Sequence, residues 1–235
     1  MEVQVAVAKV RKYATTSSGD TVEIVERPQG GVSAVLADGQ SSGKGAKTVS
    51  TLVVRKVITL LAEGVRDGAA ARAASDSLFT ERAGKVSATL NILSVDQSSR
   101  TLVITRNNPA PALLIHNEQV KLLNEPSIPI GLYRDTRPVI SEIPIELGLT
   151  AVVFSDGLVH SGERIGQPMD VQNFIRELIE DQPASPQFLA DMLLEHALRL
   201  DQHRPADDIS LVVMSILPHV GDEARRMTVR LPLDS

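Results

Sequence analysis

The stretch between residues 86 and 155 narrows most sharply what this chain can fold into. Val86, Ala88, Leu90 and Ile92 alternate with Ser87, Thr89 and Asn91, the period of a half-buried strand, and short apolar runs follow at 101–105, 112–116, 119–123, 139–145 and 150–155. Gly, Pro, Asn or Asp separate these runs closely, whereas a parallel crossover needs about a dozen residues between partners. Antiparallel hairpins and meanders are therefore expected, and the middle of the chain reads as sheet.

The flanks read differently. Residues 3–10 are rich in Val and Ala, residues 22–25 read as a short strand, and an apolar run over 31–37 stops at Asp38-Gly39, a turn signal that delivers Asp38 to a loop. Ala46, Val49, Val53, Val57, Leu60 and Leu61 then recur in steps of three and four along one helical face, and an Ala-rich helix is expected over 68–82. Beyond the sheet, Val171, Phe174, Ile175, Leu178 and Ile179 mark one helix, and Ser185-Pro186 opens another with an N-cap and a first-turn proline. Residues 209–216 read as a strand, and Met227, Val229, Leu231 and Leu233 alternate as in a last edge strand. This order predicts an α+β fold, antiparallel sheets with helices on their outer faces, in one domain over 1–217 with an extension over 218–235.

Composition removes several functions. Lys plus Arg number 24 against 29 Asp plus Glu, a net charge of −5, without a basic stripe to track phosphates, so nucleic acid is not an expected partner. The absence of Cys excludes thiolate nucleophiles, disulfides and thiolate zinc sites. No run approaches the ~18 apolar residues of a membrane span, so a cytoplasmic protein away from the membrane is expected.

What remains is a set of carboxylates at strand ends. Asp38 follows Val35-Leu36-Ala37, Asp156 follows Val153-Phe154-Ser155, and Asp207-Asp208 precedes Ile209-Ser210-Leu211. Each Asp-Gly alone is more often a plain turn. Strands converging in a sheet, however, would bring these carboxylates together, where only protons or hard cations offset their repulsion. The glycine after Asp38 also leaves a backbone carbonyl accessible as a hard ligand.

In order and spacing the set resembles the metal-dependent protein serine/threonine phosphatases, the phosphatase 2C or PPM family, in its bacterial SpoIIE-like branch. Ser18-Gly19-Asp20 resembles the first Gly-Asp motif, and the run from Ala37-Asp38-Gly39 to Gly43-Lys44-Gly45-Ala46 resembles the Asp-Gly-x-Gly-x-Gly segment. Pro129-Ile130-Gly131, Phe154-Ser155-Asp156-Gly157 and Asp207-Asp208-Ile209-Ser210 resemble the later elements. Within the branch, the compact chain looks most like the RsbX-type feedback phosphatases of the stressosome.

The resemblance implies two antiparallel sheets sandwiched between helix pairs. It also implies two Mn²⁺ or Mg²⁺ ions: Asp38 bridges both, Asp156 and Asp207 complete the first, the Gly39 carbonyl joins the second, and Asp20 acts through metal-bound water. Asp38 and Asp20 are thereby the expected catalytic residues, with a hydroxide between the metals attacking the phosphorus of phosphoserine or phosphothreonine. The expected partners are phosphorylated scaffold or antagonist proteins of a stress-response switch, met by a monomer. The alternative is a degenerate module on the same fold that binds phosphoproteins without turnover.

Four departures accompany the match. Ser41 stands where a second Gly is usual and is tolerated if its φ is negative. His160 replaces an acidic residue associated with a third metal. Asn107-Asn108-Pro109 replaces Ala-Gly-His, and the N-terminal segment has no obvious phosphate-binding Arg, Arg11 and Lys12 being nearby candidates. His196 falls on an apolar helix face, a structural position, and the stretch over 158–170, with Gly162, Gly166 and Pro168, reads as a surface loop that helps to dock the substrate.

Overall fold

The computed structural model describes residues 1–181 and 185–232. Two five-stranded sheets, every pairing in them antiparallel, lie face to face. In chain order the elements are β1 (Glu2–Val10), β2 (Asp20–Glu26), β3 (Gly31–Gly39), α1 (Gly43–Ala62), α2 (Asp67–Arg82), β4 (Ala88–Asp96), β5 (Thr101–Asn107), β6 (Ala112–His116), β7 (Gln119–Leu123), β8 (Val139–Pro144) and β9 (Thr150–Phe154). A one-turn helix α3 (Asp156–Val159) and a 3-10 turn at Glu163–Ile165 follow, then α4 (Val171–Asp181), α5 (Pro186–Leu200) and β10 (Ile209–Leu217). One sheet runs β1-β10-β9-β6-β7 and the other β2-β3-β4-β5-β8.

Three apolar layers hold the sandwich together. Val35 and Ala37 of β3 face α1 and α2, packing on Val53, Val57, Ala70 and Leu78, while their neighbours Ala34 and Leu36 face the opposite sheet, against Val153, Val212 and Met214. Burial on both faces explains why β3 reads as a continuous apolar run rather than an alternating one. On the far side α4 and α5 cover Leu113, Phe154, Leu211 and Val213 with Ile175, Leu189 and Leu193. Ser185 caps α5 as its sequence predicts, its Oγ accepting the Phe188 N–H.

Two sequence expectations need correction. Asp38 and Gly39 do not form a turn; they are the last residues of β3, with Asp38 paired to Asp20 on one side and Thr89 on the other. The alternation from Met227 to Leu231 builds no strand: those side chains are exposed, residues 218–232 carry no regular element, and Leu233 lies outside the described residues. Alternation yields a strand only where a sheet edge accepts it. Here the segment is tied by single ion pairs, Arg225 to Glu26 and His219 to Glu2.

Arg27 and Asp67 form a buried ion pair that anchors the β2–β3 hairpin to the start of α2, with the Arg27 guanidinium also donating to Ser33 Oγ and the Val65 carbonyl. Among the described residues no helix is long and apolar enough to cross a membrane.

Candidate active site

The layer between the sheets is apolar along most of its length and becomes polar at one end. Side chains two apart along a strand share a face. Following Ile24 and Val22 back along β2 therefore leads to Asp20, and following Ala34 and Leu36 along β3 leads to Asp38. The same phase leads from Ala151 and Val153 to Ser155 just past β9, and from Met214 and Val212 to Ser210 on β10. The register sets Asp20 opposite Asp38, and Asn91 of β4 beside Leu36 on the same face.

Above this end lies a cleft of about 830 Å³ lined from both sheets, by Asp38, Gly39 and Thr89 on one side and Asn108, Asp156, His160 and Asp207 on the other. Lys12 also lines it, as do Ser41 and Ser42. Asp20 sits beneath, fully buried. The chain thus brings Asp20, Asp38, Gly39, Asp156 and Asp207 to one place.

Their electrostatics are unfavourable without a counter-charge. Burial, then Asp20, Asp156 and Asp207, push the Asp38 carboxyl up to about 9, and burial lifts Asp20 to about 6 although Ser210, Ser155 and Asp38 temper it. Burial followed by Asp207 raises Asp156. Neither carboxylate oxygen of Asp20 receives a hydrogen bond of good geometry, and Ser210 Oγ and Asn91 Oδ1 are buried without partners at the same end. Orphaned buried oxygens of this kind call for an ion, a proton or water.

Backbone locks hold the set in place. Asp208 is committed to structure through both oxygens: its Oδ1 accepts the Lys12 N–H at 2.8 Å and its Oδ2 the Gly19 N–H at 2.7 Å, whereas its neighbour Asp207 accepts the Asp208 N–H through Oδ1 at 2.9 Å. The Asn108 and Asn91 amides both donate to the Phe154 carbonyl, two residues before Asp156, at 3.0 and 3.4 Å. Lys9 and Lys47 donate to the Asp20 carbonyl at 2.6 and 2.8 Å, placing two ammonium groups behind the carboxylates. A Cβ on Gly39 would collide with the Ala46 carbonyl, so this glycine lets α1 lie directly on the end of β3.

Other expectations fare unevenly. Lys12 reaches the cleft. The Asn107-Asn108-Pro109 segment is a built wall: Arg106, buried, donates to the carbonyls of Asn108, Ala110 and Glu125. His160 lines the cleft and holds Glu163 at 2.7 Å, a bond that raises its pKa. His196 stacks on Phe174 with ring centroids 4.0 Å apart, a packing role. Lys47, Asn91 and Arg106 had no sequence signal of their own.

Ser41 departs from expectation, since its φ is +76°. A non-glycine residue there is strained by about 1–2 kcal/mol. Ser41→Gly, which also loosens the unfolded chain, should raise unfolding stability by about 0.5–1 kcal/mol, read from the urea midpoint.

The fold and the motifs can now be set against known proteins. The Stage II sporulation protein E (SpoIIE) family model matches residues 28–217. The chain belongs to the SpoIIE family. Stage II sporulation protein E of Bacillus subtilis is 21% identical over 218 residues, which cover 91% of this chain but only 26% of that protein. This SpoIIE-family chain also superposes on the PP2C phosphatase domain and regulatory fragment of B. subtilis SpoIIE, with a TM-score of 0.79 at 20% identity, covering 92% of this chain and 64% of the other. The catalytic domain of the serine/threonine phosphatase PstP in complex with two manganese ions gives a TM-score of 0.71 at 17% identity, over 92% and 99% of the two chains. The fold is that of the PP2C phosphatases.

Whether divalent cations suit this site can be judged from its donors. They are hard carboxylate oxygens, half-buried at Asp38, Asp156 and Asp207 and fully buried at Asp20, and their mutual repulsion fits Mg²⁺ or Mn²⁺ in kind. As the side chains stand, no group of three or more His, Asp or Glu among the described residues already forms a closed ligand set.

A pH dependence follows. Asp20 and Asp38 hold protons more tightly folded than unfolded, so the stability of the cation-free fold is full below about pH 4 and falls as pH rises through about 6 and then 9. Melting of the chelator-treated protein should move to lower temperature between pH 5 and pH 9, and saturating Mn²⁺ should offset the drop most at the alkaline end.

Proposed function

We propose that this SpoIIE-family protein is a Mn²⁺- or Mg²⁺-dependent phosphatase that removes phosphate from phosphoserine and phosphothreonine side chains of proteins. One observation carries the reading: carboxylates from both sheets converge at one open cleft, with Asp38, Asp156 and Asp207 half-buried along its walls and Asp20 buried beneath, both its oxygens short of a well-formed hydrogen bond. Asp38, Asp156 and Asp207, the Gly39 carbonyl and Asp20 would hold the cations. Bound there, two such ions supply positive charge for the phosphoryl oxygens and acidify a water.

The chain's own residues do the rest. Asp20 and Asp38 stand opposite each other in the β2–β3 register, and burial raises both carboxyls, so cations binding there displace protons. Lys12 offers a cation at the cleft for the phosphate, and Asn108 and Pro109 wall it off. With no Cys in the chain a cysteinyl-phosphate route is closed, and hydrolysis by activated water is the chemistry that the carboxylate set supports. The stressosome-type assignment, phosphorylated scaffold or antagonist proteins met by a cytoplasmic monomer, draws on the likeness of the compact chain to the RsbX-type phosphatases, RsbX with magnesium sharing the fold at a TM-score of 0.66 and 14% identity.

A second reading, a phosphoprotein-binding module without turnover, draws on the absence of a closed ligand set among the described residues. Titrating metal-stripped protein with Mn²⁺ while following hydrolysis of a small aryl phosphate separates the two. Saturable, cation-dependent turnover is expected; absence of both turnover and Mn²⁺ binding would favour the module.

A further inference from the structure

Beside the active-site cleft lies a second cavity of about 340 Å³, and the two share the walls Pro111 and Val159. Leu113 and Phe154 lie beneath it in the core, and its accessible sides are Leu122 on β7 and Pro168 just ahead of Met169 and α4. The polar side chains at its edge are already engaged. Asp170 accepts the Asn173 N–H through Oδ1 and the Asn173 amide through Oδ2, and the Gln172 amide donates to the Val120 carbonyl at 3.0 Å. What the slot offers to a ligand is therefore apolar.

Helix α3 connects the two cavities. Its first residue, Asp156, belongs to the carboxylate set, and its last, Val159, walls both spaces. A single turn rising about 1.5 Å per residue is spanned by roughly one to three residues of extended chain at about 3.3 Å each. A phosphoprotein segment with its phosphoresidue over the carboxylates can thus lay a near neighbour into the slot.

We propose that this slot is a specificity subsite for one aliphatic side chain, Leu, Ile, Val or Met, of the phosphoprotein substrate, within about three residues of the phosphoserine or phosphothreonine. The proposal rests on the phosphatase reading and adds a substrate class to it. The occupant is a single side chain rather than a protein face, because the slot is a concavity that adjoins the cleft across Pro111 and Val159.

The test is a set of phosphoserine peptides built otherwise from Gly and Ser, with Leu at each of the three positions on either side, hydrolysed by the Mn²⁺-loaded protein. One position should raise kcat/KM about tenfold over the Ser peptide, the usual scale for an apolar pocket. Leu122→Asn and Pro168→Asp polarise the slot from two elements. In both, the Leu-to-Ser ratio should fall towards one, with each peptide rate divided by the same variant's aryl phosphate rate so that a general loss of activity cancels. No positional preference in the unsubstituted protein, or a preference surviving both substitutions, overturns the subsite. Failure of the unsubstituted protein to hydrolyse even the aryl phosphate overturns the phosphatase reading, and the subsite with it.

Discussion

Asp38→Asn should lower Mn²⁺-dependent aryl phosphate hydrolysis by about a thousandfold or more, while making the cation-free protein harder to unfold at pH 8. The two effects share one cause. Asp38 is the carboxyl whose ionisation is most opposed, by burial and then by Asp20, Asp156 and Asp207. An amide of the same shape removes that repulsion and with it the oxygen that both cations are proposed to share. Losing several kcal/mol of charge stabilisation in the transition state corresponds to three or more decades in rate. Steady-state kinetics across a Mn²⁺ titration reads the first effect, and chelator-treated thermal melts read the second. A variant both inactive and less stable would mean that Asp38 serves the fold rather than the chemistry.

Asp67→Ala should destabilise the protein by about 3–5 kcal/mol, the usual cost of leaving a buried charge unpaired. Arg27 would keep only Ser33 Oγ and the Val65 carbonyl as acceptors. For a chain of this size the loss corresponds to a melting temperature lower by about 6–20 °C. Replacing both partners, Arg27→Met with Asp67→Leu, should recover most of the loss, since no orphaned charge remains. Calorimetry of the two proteins distinguishes a stabilising pair from one whose partners merely need each other.

How much of this was legible beforehand depended on period and burial. The face of α1 and the strands at 112–116 and 119–123 were plain, because each alternates or repeats against one core. The end of β3 was misread because Asp-Gly is a turn signal wherever local preference decides; here pairing to both Asp20 and Thr89 overrides it. The run from Met227 to Leu231 was misread for the opposite reason, a strand pattern that pairs with none of the sheet edges. At the site, the motif aspartates could be named from order and spacing, and their convergence follows from strand phase. The supports could not. Lys47 reaches Asp20 from α1, and Asn91 reaches Phe154 from the other sheet, contacts that depend on how layers dock.

The interleaving of the two sheets carries a consequence for how such a protein comes into being. The chain enters one sheet with β1, leaves it for β2 to β5, returns for β6 and β7, leaves again for β8, and closes with β9 and β10. The strand between β1 and β9 is the last one, pairing Glu2 with Leu217 and following directly on Asp207 and Asp208. During synthesis, therefore, Asp207 arrives late and β1 stays without its β10 partner until residues 209–217 have emerged. A chain cut short of β10 keeps every strand of the β2-β3-β4-β5-β8 sheet but leaves β1 and β9 without the partner they share, and it loses the strand that fixes Asp207 at the cleft.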